Sequence, residues 1–210
     1  MPTYATETTG AIGGSPASLD YVSTQGGLLA NAADPPMGAC LSLHVAETIP
    51  SSAATAALTM TSGSLSIAAI RLVTGQTVQG CGFVTSTTAA VTPAHWWTCL
   101  LDSNYICRAA SADQTTGAIA ASTWFPQAFT ATYTATYTGI YFLGVMISAG
   151  TVSTLCGATA PLTAMVTGTG APAPLPGGVS STSQTTAPAA GVTTFIAPTA
   201  AAVTPYLYAY

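Results

Sequence analysis

The chain has 210 residues, of which only 2 are Lys or Arg and 6 are Asp or Glu, so its formal net charge is −4. Charged residues make up 4% of the sequence, against about 25% in an ordinary soluble domain. Two basic side chains cannot neutralise a row of phosphates, which excludes nucleic-acid binding, and the shortage of acids and bases argues against most enzyme classes.

Disorder driven by charge repulsion is not expected, because the net charge is small. We therefore expect one folded β domain with arms, which suits the length of the chain.

The first ten residues lack the basic and apolar regions of a secretory signal, so export by that route is not expected. The longest apolar stretch, residues 140–149, is about half as long as the roughly 20 residues of a membrane-spanning helix, so no membrane insertion is expected.

Residues 1–50 are predicted to form an extended N-terminal arm. This segment is punctuated by Gly13-Gly14, Gly26-Gly27 and Pro35-Pro36, and it has too few large apolar groups to fold alone. We expect it to lie over its own domain or to dock on a neighbour.

Two strands are predicted next, over residues 64–73 and 76–86. In the second strand, Gly80 and Gly82 indicate a bulge or close packing of another group against the backbone. Residues 96–107 are predicted to form a hairpin, because Asp102-Ser103-Asn104 is a set of turn formers that interrupts an apolar run.

Residues 129–138 alternate aromatic or small residues with threonine. This period of two predicts a half-buried antiparallel strand with rings on one face and hydroxyls on the other. Residues 139–147 are continuously apolar, which predicts a central strand covered on both faces, adjacent to the first. At most one or two helical turns are expected, over residues 115–124.

The strand pattern predicts an all-β fold, an antiparallel β-sandwich of the jelly-roll kind, with its core in residues 51–166. Residues 167–191 are rich in Pro, Gly, Ser and Thr and are predicted to be a loop, since proline lacks an amide donor. Residues 192–210 are predicted to be a terminal strand that completes this sheet or a neighbour's.

The five cysteines are Cys40, Cys81, Cys99, Cys107 and Cys156. An odd number without a secretory signal favours free thiols. A bond between Cys99 and Cys107 stays open, because a three-residue hairpin loop would place them opposite each other. The spacings match no zinc motif, so no metal site is predicted.

The chain from residue 114 to its end contains no Asp, Glu, Lys, Arg or His, so this half offers neither acid–base nor metal chemistry. His44 and Glu47 form HxxE without a second His. His95 is interpreted as capping a strand end, and Asp102 as a turn former. Ser103 is not in a GxSxG elbow. We predict no catalytic residues and no cofactor.

Aromatic residues are the remaining candidates for a binding role. Neighbouring Trp96 and Trp97 must point to opposite faces of a strand, so we expect one in the core and the other outside. Residues 206–210 should place three tyrosine rings on one face. The candidate interface or glycan contacts are therefore Trp96, Trp97, Trp124, Tyr206, Tyr208 and Tyr210, with burial against other proteins favoured over glycan binding.

Three segments carry a family resemblance: Thr-Pro-Ala-His-Trp-Trp-Thr-Cys-Leu-Leu-Asp-Ser-Asn at 92–104, Ser-Ala-Asp-Gln-Thr-Thr at 111–116, and Tyr-Thr-Gly-Ile-Tyr-Phe-Leu-Gly-Val-Met at 137–146. Together they resemble a module in virion proteins of tailed phages that infect actinobacteria, commonly described as minor tail proteins. The hairpin at residues 102–107 departs from that module by being shorter and containing a cysteine.

The resemblance implies a non-enzymatic β-sandwich on the outside of a phage particle, assembled in the host cytoplasm and located in the virion. It leaves open whether the protein is a tail-tip component or a capsid decoration protein. The implied partners are other virion proteins, with a homotrimer as the expected oligomer. A host-receptor module that binds cell-surface glycan is the alternative role.

Overall fold

The computed structural model describes residues 44–159, 177–200 and 203–210, and within them the fold is all-β. The only helical segment in these ranges is a single 3₁₀ turn at Ser51–Ala53. The strands are β1 Ala46–Glu47, β2 Ala56–Thr59, β3 Ser64–Leu72, β4 Thr77–Val84, β5 Val91–Leu101, β6 Cys107–Ala110, β7 Trp124–Thr134, β8 Gly139–Thr151, β9 Thr154–Thr159, β10 Gly177–Val179, β11 Thr199–Ala200, β12 Val203–Pro205 and β13 Leu207–Ala209.

The strands form three antiparallel sheets, which confirms the predicted sandwich-like class. A six-stranded sheet has the order β11-β10-β3-β8-β5-β6, a four-stranded sheet the order β1-β13-β4-β7, and a three-stranded sheet the order β12-β9-β2. The main core lies between the first sheet and the other two. It joins Leu143 of β8 and Leu100 of β5 to Phe83 of β4, Leu207 of β13 and Leu155 of β9.

A second core covers the opposite face of the six-stranded sheet. Residues such as Ile67, Trp97 and Phe142 pack there against Phe195, and the backbone N–H of Cys107 donates to the Thr193 carbonyl at 2.8 Å. Residues 180–198 therefore lie over this sheet as its cover. β8 is consequently buried on both faces, as its continuous apolar sequence predicts.

The predicted alternation holds for the aromatic residues, with Phe129 buried, Tyr133 half-buried and Thr130, Thr132 and Thr134 exposed, but Ala131 is exposed as well. The strand differs at both ends, because it starts at Trp124 and stops at Thr134. No helical turn forms over residues 115–124, where an irregular connection leads directly into β7.

The expectation that β7 and β8 are adjacent is wrong. β7 pairs with β4, whereas β8 pairs with β3 and β5. The reason is the turn at residues 135–138, which carries the chain from one sheet to the other. Ala135 fixes this turn by exchanging backbone hydrogen bonds of 2.8 Å with Gly75 and Gln76 of the β3–β4 connection.

The predicted loop at 167–191 differs in its second half, where β10 pairs with β3. Gly177 and Gly178 directly follow Pro176 and retain their amide donors. They also allow close approach, since a Cβ on Gly178 would overlap the Thr199 carbonyl. The preceding part, residues 167–176, lies outside the described residues.

The two ends of the chain also differ from the predicted boundaries. The terminal segment divides among all three sheets of this chain as β11, β12 and β13. β1, within the predicted N-terminal arm, pairs with β13, with Ala46 opposite Ala209. The rest of that arm, residues 1–43, lies outside the described residues.

Candidate functional site: an aromatic cluster on the four-stranded sheet

The last residues of the chain place a row of tyrosine rings on the outer face of the four-stranded sheet. Leu207 and Ala209 point into the main core, so Tyr206, Tyr208 and Tyr210 point the opposite way. Successive ring centroids are 6.2 Å apart in both pairs. The prediction that the three rings share one face is confirmed.

Glycines in β4 allow these rings to lie flat on the sheet. Gly82 is opposite Tyr208 in the β4–β13 pairing, and a Cβ on Gly82 would overlap the Tyr208 ring. A Cβ on Gly80 would likewise overlap the Tyr210 ring. The pairing of β4 with β7 also shifts register between Val78 and Gly80, so both the predicted bulge and the predicted close packing occur.

Trp124 joins this row from the first position of β7. Its ring meets Tyr206 edge-on, with centroids 5.8 Å apart and planes at 87°, and lies 5.4 Å from Tyr208. Trp124 is nevertheless 52% exposed. His44 stacks on Tyr208 at 4.3 Å and lies 6.1 Å from Trp124. We call His44, Trp124, Tyr206, Tyr208 and Tyr210 the aromatic cluster.

Glu47 adds a carboxylate beside this cluster. Its Oε1 lies 2.7 Å from His44 Nδ1, and Glu47 is paired with Tyr208 in the β1–β13 register. In the sequence, His44 and Glu47 stand out only as an HxxE pair. No local sequence pattern places them beside the terminal tyrosines, because that contact depends on pairing between the two ends of the domain.

Two tyrosine hydroxyls of the cluster hold their protons more tightly than a free tyrosine does. Burial raises the pKa of Tyr208 to about 12, with smaller contributions from Cys81 and Tyr210. Burial also raises the pKa of Tyr210. The other ionisable side chains of this site are His44 and Glu47.

Trp96 and Trp97 do not belong to the site. They point to opposite faces of β5 as predicted, but the expectation that one lies outside is wrong, because they are 3% and 0% exposed. Trp96 packs in the main core and donates through Nε1 to the Gly117 carbonyl at 2.9 Å. Trp97 lies beneath residues 180–198 and donates to the Thr185 carbonyl at 2.9 Å.

The Asp102 hairpin is a structural feature, as predicted. Asp102 Oδ1 accepts from the backbone N–H groups of Asn104 and Ile106 at 2.8 and 3.0 Å. Its Oδ2 accepts from Arg108 Nε and Nη2 at 2.9 and 2.6 Å. Tyr105 closes the turn with a φ of 60°, the left-handed conformation of a three-residue hairpin loop.

The other histidine, His95, pairs with Asp113. Its Nδ1 lies 2.7 Å from Asp113 Oδ2, and the pair connects β5 to the chain beyond β6. The expectation that His95 caps a strand end is wrong, because β5 begins at Val91 and His95 lies in its middle. Asp102 directly follows the last residue of β5, about 23 Å from His95 by strand geometry. The carboxylates of the described residues are thus distributed over separate pairs.

The cysteines within the described residues, Cys81, Cys99, Cys107 and Cys156, are free thiols. The three-residue loop is 103–105 and not 102–104, because Asp102 N–H donates to the Ile106 carbonyl at 3.0 Å. Leu101 is therefore opposite Cys107, and a register shift between Leu100 and Leu101 places Cys99 opposite Ala110. The two cysteines are diagonal and unbonded. Cys40 lies outside the described residues.

The described ranges contain no cluster of three or more His, Cys, Asp or Glu residues suited to a metal ion. In these same ranges, no helix has the length and hydrophobicity needed to cross a membrane. No protein-family model, curated protein or solved structure matches the chain.

Proposed function

We propose that this chain is a non-enzymatic structural protein of a tailed-phage virion, a minor tail component that acts by packing against other virion proteins. The observation that carries the proposal is the outer surface of β7. Thr130, Thr132 and Thr134 are exposed there, and Thr134 meets Thr77 of β4 through hydroxyls 3.1 Å apart. We call these four residues the threonine stripe.

The threonine stripe suits contact with another protein. It presents short hydroxyls with no ionisable group, so its burial carries no cost for desolvating a charge. The centres of protein interfaces are likewise depleted of charge. For a free monomer, a surface with so few charges would limit solubility.

The distribution of ionisable groups supports a role without catalysis. Asp102 binds the hairpin backbone and Arg108. Asp113 is paired with His95, and Glu47 is paired with His44. In the part of the chain that the structure describes, each carboxylate side chain is thus held in a separate pair.

The motif resemblance supports a place in the virion. Its first and third segments coincide with β5 and β8, which pair directly in the six-stranded sheet. The second segment follows β6 and connects to β5 through backbone hydrogen bonds between Gln114 and Trp96. The three segments thus form one continuous region of a single sheet, which suits a module defined by its packing.

The copy number of the protein in purified virions tests this proposal. A few copies per particle, together with density at the tail tip in a cryo-EM reconstruction, is the expected result. Hundreds of copies on the capsid would replace the tail assignment with capsid decoration. Absence from the particle would contradict the proposal altogether.

The proposed homotrimer is tested separately by light scattering on the purified chain. A mass of about three chains is expected, as the motif resemblance implies for a closed symmetric assembly. A monomer mass that is independent of concentration and of salt would contradict the trimer.

A further inference from the structure

We propose that the aromatic cluster binds a neutral hexopyranose unit of a glycan, with Trp124 as the stacking surface and Glu47 and His44 as its hydrogen-bonding partners. This inference goes beyond a purely structural role. It concerns the Trp124 end of β7, which is about 20 Å from the start of the threonine stripe by strand geometry.

The ring of Trp124 is fixed in place and open to solvent at the same time. Tyr206 and Tyr208 contact it on the protein side, while 52% of the residue is exposed. A pyranose ring has an apolar C–H surface that can lie on an indole face, and binding to a ring that is already held loses little conformational entropy.

Polar groups next to this ring have unused hydrogen-bonding capacity. His44 Nδ1 is occupied by Glu47 Oε1. Among the described residues, no hydrogen bond is found for His44 Nε2, Glu47 Oε2 or Trp124 Nε1, and the side chains of His44 and Glu47 keep 13% and 12% of their surface exposed. Sugar hydroxyls both donate and accept, so they can satisfy an acceptor such as a carboxylate and a donor such as an indole N–H together.

The chemistry of the site favours a neutral sugar. The only Lys or Arg residues of the chain, Arg71 and Arg108, lie on β3 and β6, which belong to the six-stranded sheet. A sialic or uronic acid would instead meet Glu47 as a like charge. A hexose offers hydroxyls and a C–H face without that repulsion.

A comparison within the molecule shows why Trp124 differs from other exposed apolar residues. Val192 and Ile196 are 79% and 63% exposed, but they are aliphatic, and no ion pair of the described residues lies on their segment. A single exposed ring is also far smaller than the roughly 1,200 Å² that a stable protein–protein interface buries.

The experiment uses the indole N–H signals in ¹⁵N-correlated NMR spectra of the full chain. Trp96 and Trp97 donate to backbone carbonyls, and Trp124→Phe identifies the third signal by removing it. Maltotetraose, β-1,4-galactotetraose and β-1,4-mannotetraose are added separately up to about 10 mM, tenfold above a millimolar dissociation constant.

We expect at least one tetrasaccharide to shift the Trp124 indole signal while the Trp96 and Trp97 signals stay unchanged. Calorimetric affinity should fall about tenfold or more in Trp124→Ala, equivalent to roughly 1.4 kcal/mol. Glu47→Gln should weaken binding about fivefold, because hydrogen bonds to a charged acceptor are the stronger ones. Ile196→Ala is the matched control at a remote exposed residue and should bind like the wild type.

No shift with any of the three sugars, or equal affinity in Trp124→Ala, would overturn the proposal. Movement of the Trp124 signal with protein concentration in the absence of sugar would assign the ring to contact between copies, and would overturn it as well. These outcomes do not affect the virion proposal, since copy number in particles is measured independently.

Discussion

The six-stranded and four-stranded sheets differ in what covers their second face. Residues 180–198 cover the six-stranded sheet, so Trp97 is 0% exposed, whereas on the outer face of the four-stranded sheet Tyr206 and Tyr208 are 2% and 4% exposed but Trp124 is 52% exposed. Both tryptophans belong to the same charge-poor sequence. The comparison shows that in such a chain the burial of an aromatic ring depends on which segments pack over it, and not on the polarity of its neighbours in the sequence.

The largest expected effect is a difference in the free energy of unfolding between variants of these two tryptophans. Trp97→Ala removes a fully buried ring and should lower the free energy of unfolding by about 3–5 kcal/mol. Trp124→Ala loses ring contacts with Tyr206, Tyr208 and His44 at a half-exposed position and should cost about 1 kcal/mol. Urea unfolding of the two variants measures the difference, and equal losses would contradict the assignment of Trp97 to a covered core.

Asp102 tests the hairpin at the edge of the six-stranded sheet. Asp102→Ala removes the acceptor for two backbone N–H groups and the partner of Arg108, and should cost about 2–3 kcal/mol. Asp102→Asn keeps the acceptor for the backbone but loses the ion pair, so we expect about half of that loss. If the two substitutions had equal effects in urea unfolding, the backbone bonds would not be the source of hairpin stability.

Substitution of Gly82 tests whether the Tyr208 ring lies flat against the four-stranded sheet. A Cβ at this position would overlap the tyrosine ring, so Gly82→Ala should destabilise the fold by about 1–3 kcal/mol. In a Tyr208→Ala background the same substitution should cost less, because the obstructing ring is gone. An unchanged cost in the double variant would show that the ring is not what requires glycine.

The smallest expected effect is a loss of stability in alkaline solution. Burial raises the pKa of Tyr208 from 10.0 to about 12, so the folded state holds this proton more tightly than the unfolded state. Stability that is fully present below pH 10 should therefore decline as the pH rises from 10 towards 12. Urea midpoints across this range should fall less steeply in Tyr208→Phe than in the wild type, and identical slopes would contradict the assignment.

Local sequence patterns predict those parts of the fold that depend on local chemistry. Alternation predicts the two faces of β7, turn formers predict the hairpin at Asp102, and Gly80 and Gly82 predict close packing. The separation of β7 from β8 could not be predicted, because consecutive strands are usually neighbours and only the turn at 135–138 redirects the chain.

The candidate site could be predicted only in part. Trp124 and the terminal tyrosines follow from aromatic content and a period of two. The burial of Trp97 could not be foreseen, since Phe195 is a lone large ring in a cover segment otherwise rich in Ser, Thr, Pro and Ala. His44 and Glu47 reach the site through the β1–β13 pairing, a contact between distant parts of the sequence that no local pattern records.

The most direct test of the proposed assembly role is a cryo-EM reconstruction of the virion at side-chain resolution. We predict that Thr130, Thr132 and Thr134 are buried against a neighbouring protein chain in the particle. Finding this threonine stripe open to solvent in every copy would contradict the claim that the uncharged outer surface of β7 serves for packing.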